Sequence, residues 1–356
     1  MISSNAGQPI PGKGAPLRSG RTLFSAHING TAQQMTFCPK VSVAIPVFNG
    51  ANYLSEAIDS ALAQTYKNLE VLVINDGSQD DGSTESVALS YGDKIRYFAK
   101  DNGGVASALN VATREMLGEY FSWLSHDDLY APTKIENQIR VLEGMDRRRM
   151  ILYSDYAVFW DNPKTATVVR LPEISPRSFR HFITTKNVLH GCTLLIPRIA
   201  FAECGVFNES LRTTQDYDLW FRMAEKFDFV HMPEVLVNAR SHPEQGTIAM
   251  KNYALKECNE LLARFVRDLS ILEVTGATGK PPDLSYAEIS ASMWERGFEQ
   301  AGWDARRLAI RHLGSGSILH TVQAVALLSS RWFYSSVSWL RGKAADLRFK
   351  LARLRR

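Results

Sequence analysis

No uncharged apolar run in this chain reaches the roughly 18–20 residues needed to cross a bilayer. The nearest stretch, Ser317 to Leu340, is interrupted by Arg331 and diluted by Ser, Gln and His. The amino terminus lacks the basic-then-apolar pattern of a secretory signal. Cysteine is scarce: Cys38, Cys192, Cys204 and Cys258 form no C-x-x-C pair. Neither a zinc ribbon nor a disulfide framework is expected, and a reducing, cytoplasmic setting is. No G-x-G-x-x-G follows the first apolar strand at Phe48. That argues against an oxidoreductase on a dinucleotide-binding fold, which needs those glycines for close approach to a pyrophosphate. Net charge is only +4 over 356 residues, and no basic-aromatic reading motif is present, so no nucleic-acid partner is expected. There are no internal repeats.

What charge there is sits at one end. Arg331 to Arg356 holds eight Lys or Arg against one acid, Asp346, a net +7 that leaves −3 for the rest. Trp332, Phe333 and Trp339 share this segment with the basic residues. Residues 317–356 therefore predict basic amphipathic helices lying on an anionic membrane surface, with a solvated basic helix as the competing account. Residues 1–36, rich in Gly, Ser, Pro, Ala and Gln, predict a disordered segment.

Between these ends, strands and helices alternate. Val41–Phe48 is a β-branched apolar run of the kind buried in parallel sheets. Tyr53, Leu54, Ala57, Ile58, Ala61 and Leu62 then recur at helical spacing. Glu70–Asn75 predicts a second strand, Lys94–Ala99 a third, and Tyr120–Ser125 a fourth. Helices are expected near Val105–Leu117 and from Pro132 to Glu143. Ile151–Trp160 and His190–Pro197 read as strands, Asp161 to Pro176 as a loop, and Asp216–Lys226 as a helix. Tyr253–Thr275 and Tyr286–His312 are expected to be helical. Alternation of this kind implies βαβ units and an α/β fold with a mostly parallel central sheet flanked by helices. Polar clusters fall at strand carboxyl ends, at Asn49, Asp76–Ser78 and Asp127–Asp128, where open α/β sheets bind ligands.

The chemistry follows from those clusters. Two adjacent carboxylates, Asp127 and Asp128, repel unless a cation sits between them, and Mg²⁺ or Mn²⁺ completed by substrate phosphates would serve. A solvated turn with a helix cap is the plainer account of such a pair. Asp76 can accept hydrogen bonds from a base or ribose edge, or can simply shape a turn before Gly77. Asp216 can take a proton from an attacking hydroxyl, or can favour a helix dipole in its first turn. Asp218 is its competitor, read as structural. His242 can complete a metal or diphosphate site.

In their order, these stretches resemble the family 2 glycosyltransferases, inverting enzymes of the GT-A fold. The resemblance rests on VSVAIPVFNGANYLSEAIDSALAQTYKNLEVLVINDGSQDDGS, DNGGVASALNVATREMLGEYFSWLSHDDLYAPTKIENQI, GVFNESLRTTQDYDLWFRMAEKF and ARSHPEQ. It implies a nucleotide-sugar donor, with UDP as the default nucleotide, bound by Pro46, Val47, Asn49, Asp76, Asn102, Gly103 and Asp127. It implies a divalent metal, Mn²⁺ or Mg²⁺, held by Asp127, Asp128 and His242, and a catalytic base at Asp216. Two positions depart from the pattern. Asn75 replaces the first acid of D-D-G-S, and Ser125 the first acid of D-x-D-D, which weakens the expected metal site. The resemblance also implies a glycan or lipid-linked acceptor and bacterial surface polysaccharide or glycolipid synthesis, peripheral on the inner face of the cell membrane. A catalytically inactive, sugar- or nucleotide-binding relative is the alternative. The expected layout is a catalytic domain over 37–250, divided near 130 into nucleotide and acceptor halves. A helical extension over 251–315 and the basic helices of 316–356 complete it.

Overall fold

Seven consecutive residues, Val41–Val47 (β1), are all buried, as befits a strand covered on both faces. In the computed structural model, which describes residues 37–143, 149–186, 188–243, 245 and 250–329, β1 lies at the centre of a five-stranded sheet. Leu69–Asn75 (β2) and Tyr120–Trp123 (β4) flank it in parallel, and Arg96–Ala99 (β3) extends the sheet beyond β2. Ile196–Pro197 (β8) closes the other edge antiparallel to β4. The crossovers run from β1 outward to β2 and β3, then back past β1 to β4. Strand order therefore reverses between β1 and β4, and open α/β sheets bind ligands beyond the carboxyl ends of the strands at such a reversal.

The intervening helices carry the expected apolar stripes. Leu54–Leu62 (α1) buries Leu54, Ala57, Ile58 and Ala61. Ser83–Leu89 (α2) and Val105–Glu115 (α3) follow, and α3 buries Ala106, Ala108, Leu109 and Ala112. Lys134–Glu143 (α4) begins two residues after Pro132.

A second sheet was not anticipated as a separate unit. Met150–Phe159 (β6), expected as a strand over Ile151–Trp160, pairs in parallel with Asp228–Arg240 (β9). Leu129–Tyr130 (β5) and Thr167–Val169 (β7) complete the order β5-β9-β6-β7. β7 lies within the segment expected to be all loop, because it can add to the free edge of β6. The β6–β9 register shifts where Met232 is followed by Pro233. Proline has no N–H to give to a ladder, so it sits at such an irregularity.

Between Lys186 and β8 the structure also differs from expectation. Only Ile196–Pro197 is strand, and Gly191–Thr193 forms a single 3-10 turn. Phe179–Thr185 (α5), Arg198–Cys204 (α6) and Gln215–Met223 (α7) pack around it. Each of the two long helical segments expected near the carboxyl end is two helices. Lys251–Asp268 (α8) gives way to Ile271–Thr278 (α9), where Ser270 and Glu273 form a reciprocal cap. Pro282–Glu295 (α10) and Glu299–Arg311 (α11) are separated at Gly297, whose φ of +82° suits glycine. Residues 318–329 are helical. The expected disorder of 1–36 and most of the basic tail lie outside the described residues.

Candidate active site

The carboxyl edge of the first sheet is formed by β1, β2 and β4, and Asn49, Asp76, Asp127 and Asp128 lie just beyond it in the chain. Pro46 and Val47 are buried within β1, while Asn49 stands exposed just beyond it with φ +50°. The Asn49 N–H donates to Ser78 Oγ at 2.9 Å, and Asn49 Oδ1 accepts from the Gln79 N–H at 2.6 Å. The loops after β1 and β2 are thereby stitched together.

Asp76 is only 3% exposed. Its carboxylate accepts from Lys100 Nζ at 2.6 Å, from the Gly103 N–H at 3.0 Å and from the Gly104 N–H at 2.7 Å. Asn102 Nδ2 donates to the Asp76 carbonyl at 3.0 Å. Asp76, Asn102 and Gly103 thus form one knot at the amino end of α3. Gly77 faces that knot: a Cβ there would lie 2.6 Å from the Asn102 nitrogen. Lys100 was not among the sequence candidates; no local pattern marks it.

Asp127 and Asp128 follow β4 and lead straight into β5. Because Leu129 pairs with Asn238 and Tyr130 with Val237, the end of β9 runs back past both acids. The Arg240 N–H donates to Asp128 Oδ1 at 2.9 Å, and Arg240 Nε to the Asp127 carbonyl at 3.0 Å. The Arg240 guanidinium lies over the rings of Tyr53 and Phe159 and pairs with Glu56 at 2.8 Å. Two residues on, His242 Nε2 meets Asp127 Oδ2 at 2.9 Å, with its ring against Tyr53. The expected association of Asp127 with His242 is therefore a direct contact.

Asp128 engages a different set. Its Oδ2 accepts from the Cys192 thiol at 3.3 Å and stands 3.6 Å from His190 Nε2. Burial, reinforced by the neighbouring Asp127 charge, pushes the Asp128 carboxyl up to about 8. Burial likewise drives His190 down to about 4 and the Cys192 thiol upward. His190 and Cys192 were missed because each is a lone residue in a segment read as a strand, and only folding sets them, at a 3-10 turn, against Asp128.

Asp216 lies in the first turn of α7, partly exposed, with its Oδ1 accepting from the Tyr217 N–H at 2.8 Å. Crowding by the protein, with the Glu257 charge adding to it, raises its carboxyl to about 6. Glu257 on α8 accepts from the Arg212 and Thr213 N–H groups, both at 2.8 Å, and from the Thr213 and Thr214 hydroxyls. It holds the loop that presents Asp216. Asp218 is buried and bound by Arg222 and Arg264, a structural role as read from the sequence. The Tyr217 hydroxyl accepts from the Leu189 N–H at 3.0 Å, beside His190. This contact ties the Asp216 helix to the loop that faces Asp128.

The sequence model of glycosyl transferase family 2 matches residues 42–205. An uncharacterized glycosyltransferase of Rickettsia typhi is 47% identical over 245 residues, which is 68% of this chain and 76% of that protein. The chain belongs to glycosyl transferase family 2. An uncharacterized glycosyltransferase of Rickettsia felis is also 47% identical, over 248 residues and 69% of this chain, but the match spans only 41% of that longer protein. The chondroitin synthase of Pasteurella multocida is 32% identical over 212 residues, 59% of this chain and 21% of the synthase. Among solved structures, Staphylococcus aureus TarS 1-349 in complex with UDP gives a TM-score of 0.56 at 19% identity, covering 85% of this chain and 92% of that one. The mannosyltransferase PcManGT of Pyrobaculum calidifontis, in complex with GDP-Man and Mn²⁺, gives 0.53 at 21% identity, covering 84% and 81%. These two likenesses establish the GT-A-type fold.

Proposed function

We propose that this glycosyltransferase moves a sugar from a nucleotide-diphosphate sugar to an acceptor hydroxyl with inversion at the anomeric carbon. Asp216 is assigned as the base that takes the hydroxyl proton. The observation that carries this reading is the state of Asp216: partly exposed at a helix start, with its carboxyl raised to about 6. A carboxyl so raised is ionised near neutral pH yet basic enough to accept a proton. The acceptor oxygen attacks from the side away from the nucleotide, and its proton passes to Asp216.

The knot of Asp76, Lys100, Asn102 and Gly103 supports a nucleotide site beside Asn49, at the reversal of strand order. Pro46 and Val47 would form its buried floor. UDP is the proposed nucleotide, and the UDP complex of TarS is consistent with it. The residues present fit a divalent metal: Asp127 and His242 already meet at 2.9 Å, and two adjacent buried acids call for positive charge. Asp127 and His242 would hold Mn²⁺ or Mg²⁺, with Asp128 supporting through Arg240. When bound, such an ion neutralises charge on the departing diphosphate. Arg240 keeps both acids in register, and Tyr53 screens His242 from water.

The acceptor is proposed to be a glycan or a lipid-linked sugar, in surface polysaccharide or glycolipid synthesis at the inner face of a bacterial membrane. The named activity of the Pasteurella relative supports a polysaccharide setting. No described helix is long and apolar enough to cross a membrane. The helix over 318–329 exposes Ile318, Leu319, Val322 and Val325, which supports peripheral contact through residues 317–356.

Asp216→Asn tests the assignment by nucleotide release with acceptor panels. Loss of a general base predicts a roughly 100- to 10,000-fold fall in kcat, with donor binding by thermal shift unchanged. Transfer at the parental rate would sink the role of Asp216.

A further inference from the structure

We propose that Asp128, His190 and Cys192 form a second cation site, separate from the Asp127–His242 pair, that takes a thiophilic divalent ion of the zinc class. The donor atoms of these three residues lie within 4.8 Å of one another. Asp128 Oδ2 is 3.3 Å from Cys192 Sγ and 3.6 Å from His190 Nε2. Ligands about 2.0–2.3 Å from zinc in a tetrahedral shell lie roughly 3.3–3.5 Å from each other, which both Asp128 distances already approach. The set of one sulfur, one nitrogen and one oxygen selects zinc over magnesium, because a thiolate is a soft donor.

Charge balance fits the burial. Asp128 is 2% exposed and Cys192 fully buried. In their neutral forms the Asp128 carboxyl and the Cys192 thiol each carry one proton. A divalent ion replaces both: metal–oxygen and metal–sulfur bonds form, two protons leave to solvent, and His190 donates a lone pair. The net charge stays zero, so no uncompensated charge is buried.

The surroundings would support such bonds. The Arg240 N–H fixes Asp128 Oδ1 and thereby aims Oδ2 at the other two donors. The Ser125 N–H reaches Cys192 Sγ at 3.2 Å, and Ser125 Oγ lies 3.4 Å from it, contacts that stabilise a thiolate. The Ser125 hydroxyl adds no negative charge beside the sulfur. Gly191 lets the turn press on Trp123, since a Cβ there would lie 2.5 Å from the indole. An ion here would cross-link the acidic loop to the 189–193 turn, which Tyr217 ties to α7.

Cobalt(II) reports this chemistry directly, with no activity assay and no nucleotide. Reduced, metal-free full-length protein titrated with Co²⁺ is expected to develop sulfur-to-cobalt charge-transfer absorption together with four-coordinate visible bands, saturating at equimolar ion. Zn²⁺ should bleach both, and excess Mg²⁺ should not. The charge-transfer band should vanish in Cys192→Ser and persist in Cys258→Ser and Asp127→Asn. No such band in the parent protein overturns the site whatever the variants do. A band that survives Cys192→Ser, or disappears in Asp127→Asn, places the ion elsewhere and overturns it equally.

Discussion

Asp76 and Asp128 follow β2 and β4, the strands on either side of β1; both are nearly inaccessible, and yet they are stabilised by opposite means. Asp76 is met by a lysine and two backbone N–H groups at the start of α3. Asp128 has one backbone N–H, a thiol and a second acid beside it, and its carboxyl is pushed up to about 8. Burial alone does not set the state of a carboxyl; the donors around it do. The Asp76 cluster is therefore a finished electrostatic unit. The Asp128 cluster is not, which is the property the proposed cation site draws on.

That contrast can be broken most forcefully at Asp76. Asp76→Ala removes the shared acceptor of half-buried Lys100 and of the Gly103 and Gly104 N–H groups, and losing such charged hydrogen bonds costs about 1–3 kcal/mol. Urea denaturation should show that loss; a change below about 1 kcal/mol would mean water replaces the carboxylate without penalty. Asp128→Asn should act through pH. A carboxyl raised in the folded state contributes stability that is whole below its unfolded value near 4 and is lost as pH rises toward about 8. From about pH 7 to about pH 8, with Asp216 largely ionised, the Asp128 contribution should still slope downward, read as the parent-minus-variant difference because buried Lys134, lowered to about 7, acts in the opposite sense. Asp128→Asn should flatten that slope, and an unchanged slope would assign the proton elsewhere.

The smallest effect is expected at Glu257. Its charge helps raise the Asp216 carboxyl, and its oxygens hold the preceding loop. Activity that needs ionised Asp216 should fall as pH drops through about 6. Glu257→Gln should move that acid limb to lower pH and quicken amide exchange at Arg212 and Thr213. An unmoved limb with faster exchange would leave Glu257 a purely mechanical grip.

Much of the first sheet could be read along the chain. Its strands are short apolar runs, and its loops follow them directly, so Asn49, Asp76 and Asp127 fall on one edge by order alone. The second sheet was opaque for a physical reason. β5 is two residues long, and its partner β9 lies about a hundred residues away, so no local periodicity reports their pairing. The split of the long carboxyl-terminal helices depends on a cap at Ser270 and a left-handed turn at Gly297, which interrupt the helices without breaking the apolar pattern.

Sequence by itself determined the family, the α/β alternation and the residue types that carry the chemistry, because each is encoded in contiguous segments with their own spacing. Tertiary structure decided which acid meets which partner: His242 on Asp127, Cys192 and His190 on Asp128, Lys100 on Asp76 and Glu257 beneath the Asp216 loop. Those pairings join residues 24 to 115 positions apart, and only the tertiary fold brings them within bonding distance.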